Sequence, residues 1–207
     1  MYNPSPQWVT ALPAASEARQ MIVTACVGHT TASISMHEKD AAGIWRQLLT
    51  TPGFIGKNGL GKEREGDHKT PRGVFRIDRA FGIQPDPGCH MPYRQVDEYD
   101  YWSGDHRPGM RYNEMVSLKD YPDLDTENSE HLISFGVCYN YCLNMGYNPD
   151  RVPGLGSALF IHSFCPTAPY TAGCIALPDA VMREVIRKIR PGCLAVTDSM
   201  EALGCVL

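Results

Sequence analysis

The clearest helical period in this chain covers Asp179–Arg190, and it is short. Val181, Met182, Val185, Ile186 and Ile189 recur on one face, behind Pro178-Asp179 and ahead of Pro191-Gly192. Asp179 is placed to cap that helix. The other apolar runs are brief and rich in β-branched residues. They predict strands at Met21–Val27, Thr31–Met36, Gly73–Ile77, Leu132–Val137, Ala158–Ser163 and Cys193–Thr197. Ile44–Leu49 reads as a strand or a helical turn, and Thr51-Pro52-Gly53 reads as a break. With 19 glycines and 16 prolines, about one residue in six, long helices are few. Several strands with one good helix predict a mainly β domain rather than an alternating β/α one.

Residues 1–20 read as an N-terminal tail or first loop, and 21–207 as one domain. A chain of 207 residues buries enough surface to hold a core without cross-links. Residues 82–131 carry Pro, Tyr, Asp and Gly with little period, and are expected to form long structured loops. The formal net charge is −4 and no basic run exists, which argues against binding to bare nucleic acid. No apolar run is long enough for a membrane span, and Met1–Ser16 lacks the pattern of a signal peptide. The chain is therefore cytosolic, or a form from which an export segment has been left out.

Several familiar motifs fail. Gly61–Thr70 displaces the lysine of a phosphate-binding loop, Gly154-Leu155-Gly156 lacks a third glycine, and His37-Glu38 lacks the second histidine of a zinc protease. The acidic run from Asp120 to Glu130 has Asn128 where a calcium loop needs glycine, so it reads as a solvated loop. Cys138 and Cys142 supply only two ligands of a metal site. No metal or organic cofactor is implied.

One segment carries chemistry. Phe160–Leu177 begins as an apolar strand ending on His162-Ser163, crosses a loop with Pro166 and Pro169, and presents Thr171-Ala172-Gly173-Cys174 before Ile175. One such loop can bring a histidine and a cysteine together. A thiolate is the nucleophile, and an imidazole at hydrogen-bond distance lowers its pKa and shuttles a proton. Cys174 is then expected to be the most reactive of the eight cysteines. With Cys174 free, the other seven cannot all pair. An unpaired neighbour such as Cys165 could capture Cys174 under oxidation, and mild reductant is expected to leave activity unchanged or raise it.

His162-Ser163 followed by Thr171-Ala172-Gly173-Cys174-Ile175 resembles the active-site signature of the L,D-transpeptidase (YkuD) family. Glu65-Gly66-Asp67-His68-Lys69-Thr70-Pro71-Arg72-Gly73-Val74-Phe75 resembles that family's upstream block. Ala80-Phe81-Gly82, Met91-Pro92-Tyr93, Tyr112-Asn113 and Gly156-Ser157-Ala158 fit one branch of it in order.

The resemblance implies a β-sandwich or barrel with long loops over 21–207. It makes Cys174 the acyl-accepting nucleophile and His162 its base, with Ser163 orienting the ring. The Gly173 and Cys174 N–H groups form the oxyanion hole. Tyr112, Asn113 and Thr171 are candidates for touching substrate, while the Glu65–Phe75 block reads as mainly structural. Ala176 stands where many members carry arginine. The implied partner is a peptidoglycan tetrapeptide stem that loses D-Ala, with the acceptor amine left open. The implied setting is the cell envelope or outside the cell, with roles in wall biogenesis and cell shape and carbapenems as inhibitors. The same thioester resolved by water would make an L,D-carboxypeptidase or a cross-link hydrolase. A dead wall-binding module is the other rival.

Overall fold

Every residue of Gln20–Cys26 is buried, which is why apolar side chains stand on both faces of this run, Met21, Val23 and Ala25 on one and Ile22 and Cys26 on the other. A computed structural model describes residues 2–205, so the expected domain end at Leu207 lies outside the described residues. In chain order the elements are β1 (Asn3–Pro4), α1 (Gln7–Thr10), α2 (Ala14–Glu17), β2 (Gln20–Cys26), β3 (Thr31–Lys39) and β4 (Trp45–Phe54). Then come β5 (Gly73–Arg76), β6 (Arg79–Gly82), β7 (Tyr93–Gln95), β8 (Asp100–Trp102), β9 (Met115–Ser117) and β10 (Glu130–His131). A 3-10 helix (Leu132–Tyr139) leads to β11 (Cys142–Asn144), β12 (Phe160–Ser163), β13 (Ile175–Leu177), α3 (Asp179–Lys188) and β14 (Leu194–Ser199).

The fold is mainly β, as expected. One large sheet runs β5-β14-β2-β3-β4-β13-β12-β11-β6-β7, with β1 added beside β4, and β10-β8-β9 form a second, small sheet. The two faces of β2 serve two cores. Ile22 joins Ile34, Met36, Ile161, Ile175 and the apolar face of α3, where Met182, Val185 and Ile186 are buried. Met21, Val23 and Ala25 pack on the other face with Val9, Ala14, Ala15 and Ala18. Residues 2–20 are thus not a loose tail. They supply apolar cover to a sheet face that would otherwise meet water.

Three other expectations change. The Thr51-Pro52-Gly53 break lies inside β4, which pairs with β3 straight through Ser33↔Pro52 and Ala32↔Gly53. β13 joins β4 only at Phe54, so Pro52 sits where the strand has one ladder partner and its missing donor is tolerated. Gly53 is needed for contact: a Cβ there would lie 2.1 Å from Ile34 Cδ1 and 2.7 Å from the Ala176 carbonyl oxygen. The expected strand Leu132–Val137 is the 3-10 helix, kinked at Gly136 with φ 55° and ψ −132°. Leu132 and Tyr139 are buried while Ser134, Phe135, Gly136 and Val137 face out as an unbroken run, unlike the two-residue alternation of a strand. Asp179 does not cap α3 with its side chain; Pro178 precedes the helix, and the carboxylate turns instead to Ser163 and Asn140.

Candidate active site

The parallel pairing of β12 with β13 sets the site. His162 registers against Ala176 and Ser163 against Leu177, so the loop between these strands returns Cys174 to the start of β12. The thiol lies against backbone there. Phe160 N–H points at Cys174 Sγ over 3.3 Å, and the thiol donates to the Ala158 carbonyl over 3.3 Å. Ala158 has φ 54°, a left-handed conformation that strains a residue with a Cβ. Asn113 Oδ1 holds it there by accepting the Ala158 N–H over 3.2 Å.

His162 is fixed by backbone. Its Nδ1 donates to the Ser163 carbonyl over 2.7 Å, which leaves Nε2 as the basic nitrogen. The ring meets Tyr139 edge-on at 5.4 Å between centroids. The Ser163 hydroxyl does not touch the ring; it donates to Asp179 Oδ1 over 2.8 Å. His162 and Cys174 line one cavity of about 450 Å³, also bounded by Lys62, Glu65, Glu130 and Tyr139.

Charge in this cavity departs from the expected thiolate–imidazole pair. Burial pushes the Cys174 thiol up to about 12, and the negative charge of Glu130 adds to the rise. Burial lowers His162 to about 4 against the opposing pull of backbone carbonyls. At rest the pair is a neutral thiol and a neutral imidazole, with no hydrogen bond between them. Glu130 accepts from the Tyr139 hydroxyl over 2.7 Å, and desolvation lifts its carboxyl to about 7. Sequence reading left Glu130 in a solvated acidic run; the pairing of β10 with β8 brings it to the cavity that Cys174 lines.

Of the two amides expected to form an oxyanion hole, one is engaged elsewhere. Gly173 N–H donates to Thr171 Oγ1 over 3.0 Å and is spent. The Cys174 N–H works against the rise in the thiol's pKa. Thr171 Oγ1 in turn donates to the Cys174 carbonyl over 2.7 Å, so its hydroxyl braces the turn instead of facing substrate. Asn113 is committed to the scaffold too. Besides Ala158, its Oδ1 accepts from Trp102 Nε1, and its Nδ2 donates to the carbonyls of Tyr147 and Asn148. The Tyr112 hydroxyl donates to Glu65 Oε2 over 2.8 Å and lines an adjoining cavity that shares Glu65, Glu130, Ser157 and Ala158. Of the three substrate candidates, Tyr112 alone lines a cavity without its side chain being used to hold the Cys174 turn or Ala158.

The disulfide expectation also changes. Cys165 pairs with Cys138 of the 3-10 helix, with Cα atoms 4.7 Å apart, and so cannot capture Cys174. Cys26, Cys89, Cys142, Cys174, Cys193 and Cys205 are free.

The model of the L,D-transpeptidase catalytic domain (YkuD) matches residues 30–197, most of the chain. The chain belongs to this family. A comparison with curated proteins finds no match. Among solved structures, the helical cell shape determining protein Pgp2 from Campylobacter jejuni is similar at 16% identity and a TM-score of 0.46. The likeness covers 87% of this chain and 47% of that one, so this chain spans about half the length of that protein. Within the L,D-transpeptidase frame, Ala176 is 3% exposed between Phe54 and His162, and Lys62 and Lys57 are the lysines lining the cavity. Lys62 is ion-paired with Asp67 over 3.1 Å. No helix among the described residues is long and apolar enough to cross a membrane.

The upstream block does more than enter a strand. Buried Thr70 accepts Gly56 N–H over 2.8 Å and donates toward the carbonyls of Gly173, at 2.8 Å, and Cys174, at 3.3 Å. A threonine in a turn-rich segment gives no sign of a partner more than a hundred residues away.

Proposed function

We propose that this chain is a cysteine acyltransferase acting on peptidoglycan stem peptides. What carries the reading is one cavity lined by both Cys174 and His162, in a chain that matches the transpeptidase domain across 30–197. Because thiol and imidazole rest neutral, proton transfer accompanies attack. The S–H proton passes to His162 Nε2 as sulfur bonds to the stem carbonyl carbon. The developing oxyanion is met by the Cys174 N–H. The C–N bond then breaks, the imidazolium returns its proton to the leaving amine, and D-Ala departs from a thioester on Cys174. An acceptor amine next attacks the thioester. It gives one proton to His162, which passes it to the departing sulfur and restores the thiol.

Water in place of the amine yields an L,D-carboxypeptidase or a cross-link hydrolase by the same steps. The catalytic unit begins near residue 21, and residues 2–20 cover its open face. The Cys138–Cys165 bond fits an oxidising compartment, which supports a cell-envelope or exported setting.

The test is incubation with tetrapeptide stems and, separately, with a carbapenem, followed by intact-mass analysis. One added acyl group should appear, absent in Cys174→Ala and formed ~100-fold more slowly in His162→Ala. Released D-Ala with a new cross-link marks a transferase, and D-Ala with a free tripeptide marks a carboxypeptidase. Activity retained in folded Cys174→Ala overturns the reading.

A further inference from the structure

A peptide group is planar and trans, so its C=O and N–H point to opposite sides. Whatever holds the Gly173 carbonyl therefore also aims the Cys174 N–H. The holder is Thr70. Its hydroxyl is fully buried and its hydrogen-bonding capacity is ordered: the oxygen accepts Gly56 N–H over 2.8 Å, which leaves the proton for the Gly173 carbonyl, also at 2.8 Å. The two surfaces are also in close contact. A Cβ on Gly173, whose φ is 141°, would lie 2.9 Å from the Lys69 carbonyl oxygen, and one on Gly56 would lie 2.4 Å from that of His68. The segment 56–70 thus forms a wall against which the nucleophile turn is set, and Thr70 is its polar contact.

We propose that Thr70 is the positioning residue that aims the Cys174 N–H into the reaction cavity. The role is sharpened because Gly173 N–H is already bound by Thr171, so of the two amides expected as oxyanion donors only that of Cys174 remains. Thr70 neither gains nor loses a proton in the reaction. It fixes the peptide plane so that the donor is in place before the carbonyl oxygen becomes negative, when a preorganised donor counts most. This inference rests on the acyl-transfer reading given above for Cys174, and it adds a residue of the upstream block to that site.

The test compares Thr70→Val, which keeps the shape and loses the hydroxyl, with Thr70→Ser, which keeps the hydroxyl. Three quantities are read at Cys174: acylation by a carbapenem or stem peptide, alkylation by iodoacetamide, and the chemical shift of its amide proton. Acylation passes through an oxyanion, whereas displacement on iodoacetamide does not. Thr70→Val should slow acylation by at least ~10-fold while alkylation stays within about 3-fold. It should also move the Cys174 amide shift, and Thr70→Ser should restore all three toward wild type.

Equal loss of acylation and alkylation, no loss of acylation, or failure of serine to rescue would overturn the proposal. If Thr70→Val does not fold, Thr70→Ala carries the same comparison. A wild-type protein that alkylates but is never acylated would sink the acyl-transfer reading. The amide shift would then still decide whether Thr70 sets this peptide.

Discussion

The Ser163 hydroxyl donates to Asp179 Oδ1 over 2.8 Å, tying the end of the histidine strand to the first turn of α3. The ring of His162 is oriented by a different atom of the same residue, the Ser163 backbone carbonyl. Ser163→Ala should therefore lower stability by about 1 kcal/mol, the usual net worth of one hydrogen bond, and leave the acylation rate within a few-fold of wild type. Melting and single-turnover acylation measure the two effects. A loss of acylation near that of His162→Ala would restore the hydroxyl as the orienting group.

Thiol reactivity should invert the simple expectation for a nucleophile. Cys174 is buried with its pKa raised to about 12, while Cys89 and Cys205 are more accessible. In resting protein at neutral pH, limited alkylation should mark Cys89 or Cys205 before Cys174. The Cys174 rate should still be climbing at pH 10, with no plateau near neutrality. Glu130→Gln removes the neighbouring charge that opposes the thiolate, so the Cys174 rate at pH 8 should rise a few-fold. Peptide mapping across pH reads both. An early plateau in the wild type would mean that an imidazolium–thiolate pair forms after all.

What the residues disclosed tracks what each signal physically reports. Continuous apolar runs report burial, and β2, β3, β12 and β14 were legible from them. Amphipathic spacing reports one wet face, and α3 was legible from it. Neither signal reports a partner. Pro52 and Gly53 look like a break until the strand beside them is known, and Asp179 looks like a cap until Ser163 competes for it. β11 is three residues long, too short for any period to register, yet it sets Cys142 opposite His162. Cys174 and His162 were legible together because both lie within one strand–loop–strand unit. Thr70, Glu130 and the scaffold role of Asn113 were not, because each depends on pairing between distant segments.

Acid should destabilise the fold through its histidines. His37 is fully buried between the hydroxyls of Ser5 and Ser35, and burial lowers it to about 4; His162 is lowered to about 4 by the same cause. The unfolded chain binds these protons near 6.5, where the folded chain refuses them. The stability they contribute is thus present above pH 6.5 and is lost as pH falls toward 4. At pH 5 the loss is roughly 2 kcal/mol per histidine as an upper bound. Denaturant midpoints at pH 7 and pH 5 measure it, and His37→Gln should flatten part of the slope. An unchanged midpoint across that window would place both histidines in wetter surroundings than the structure gives them.

Reductant should lower activity, the reverse of what a free Cys165 would produce. Cys165 lines the cavity shared by His162 and Cys174, and its bond to Cys138 ties the loop before Cys174 to the 3-10 helix. That helix carries Tyr139, which packs on His162 and holds Glu130. Opening the bond frees a loop closed across 27 residues of sequence, at a cost of about 3.5 kcal/mol on loop-entropy grounds. The core does not depend on it, since the large apolar clusters lie on the two faces of the main sheet. The reduced protein should therefore stay folded but melt earlier, and Cys174 should be acylated more slowly. Cys138→Ser/Cys165→Ser should reproduce both effects and become indifferent to reductant. The thiol count should rise from six to eight on reduction. Unchanged acylation after two thiols are released would show that the loop holds its place without the bond.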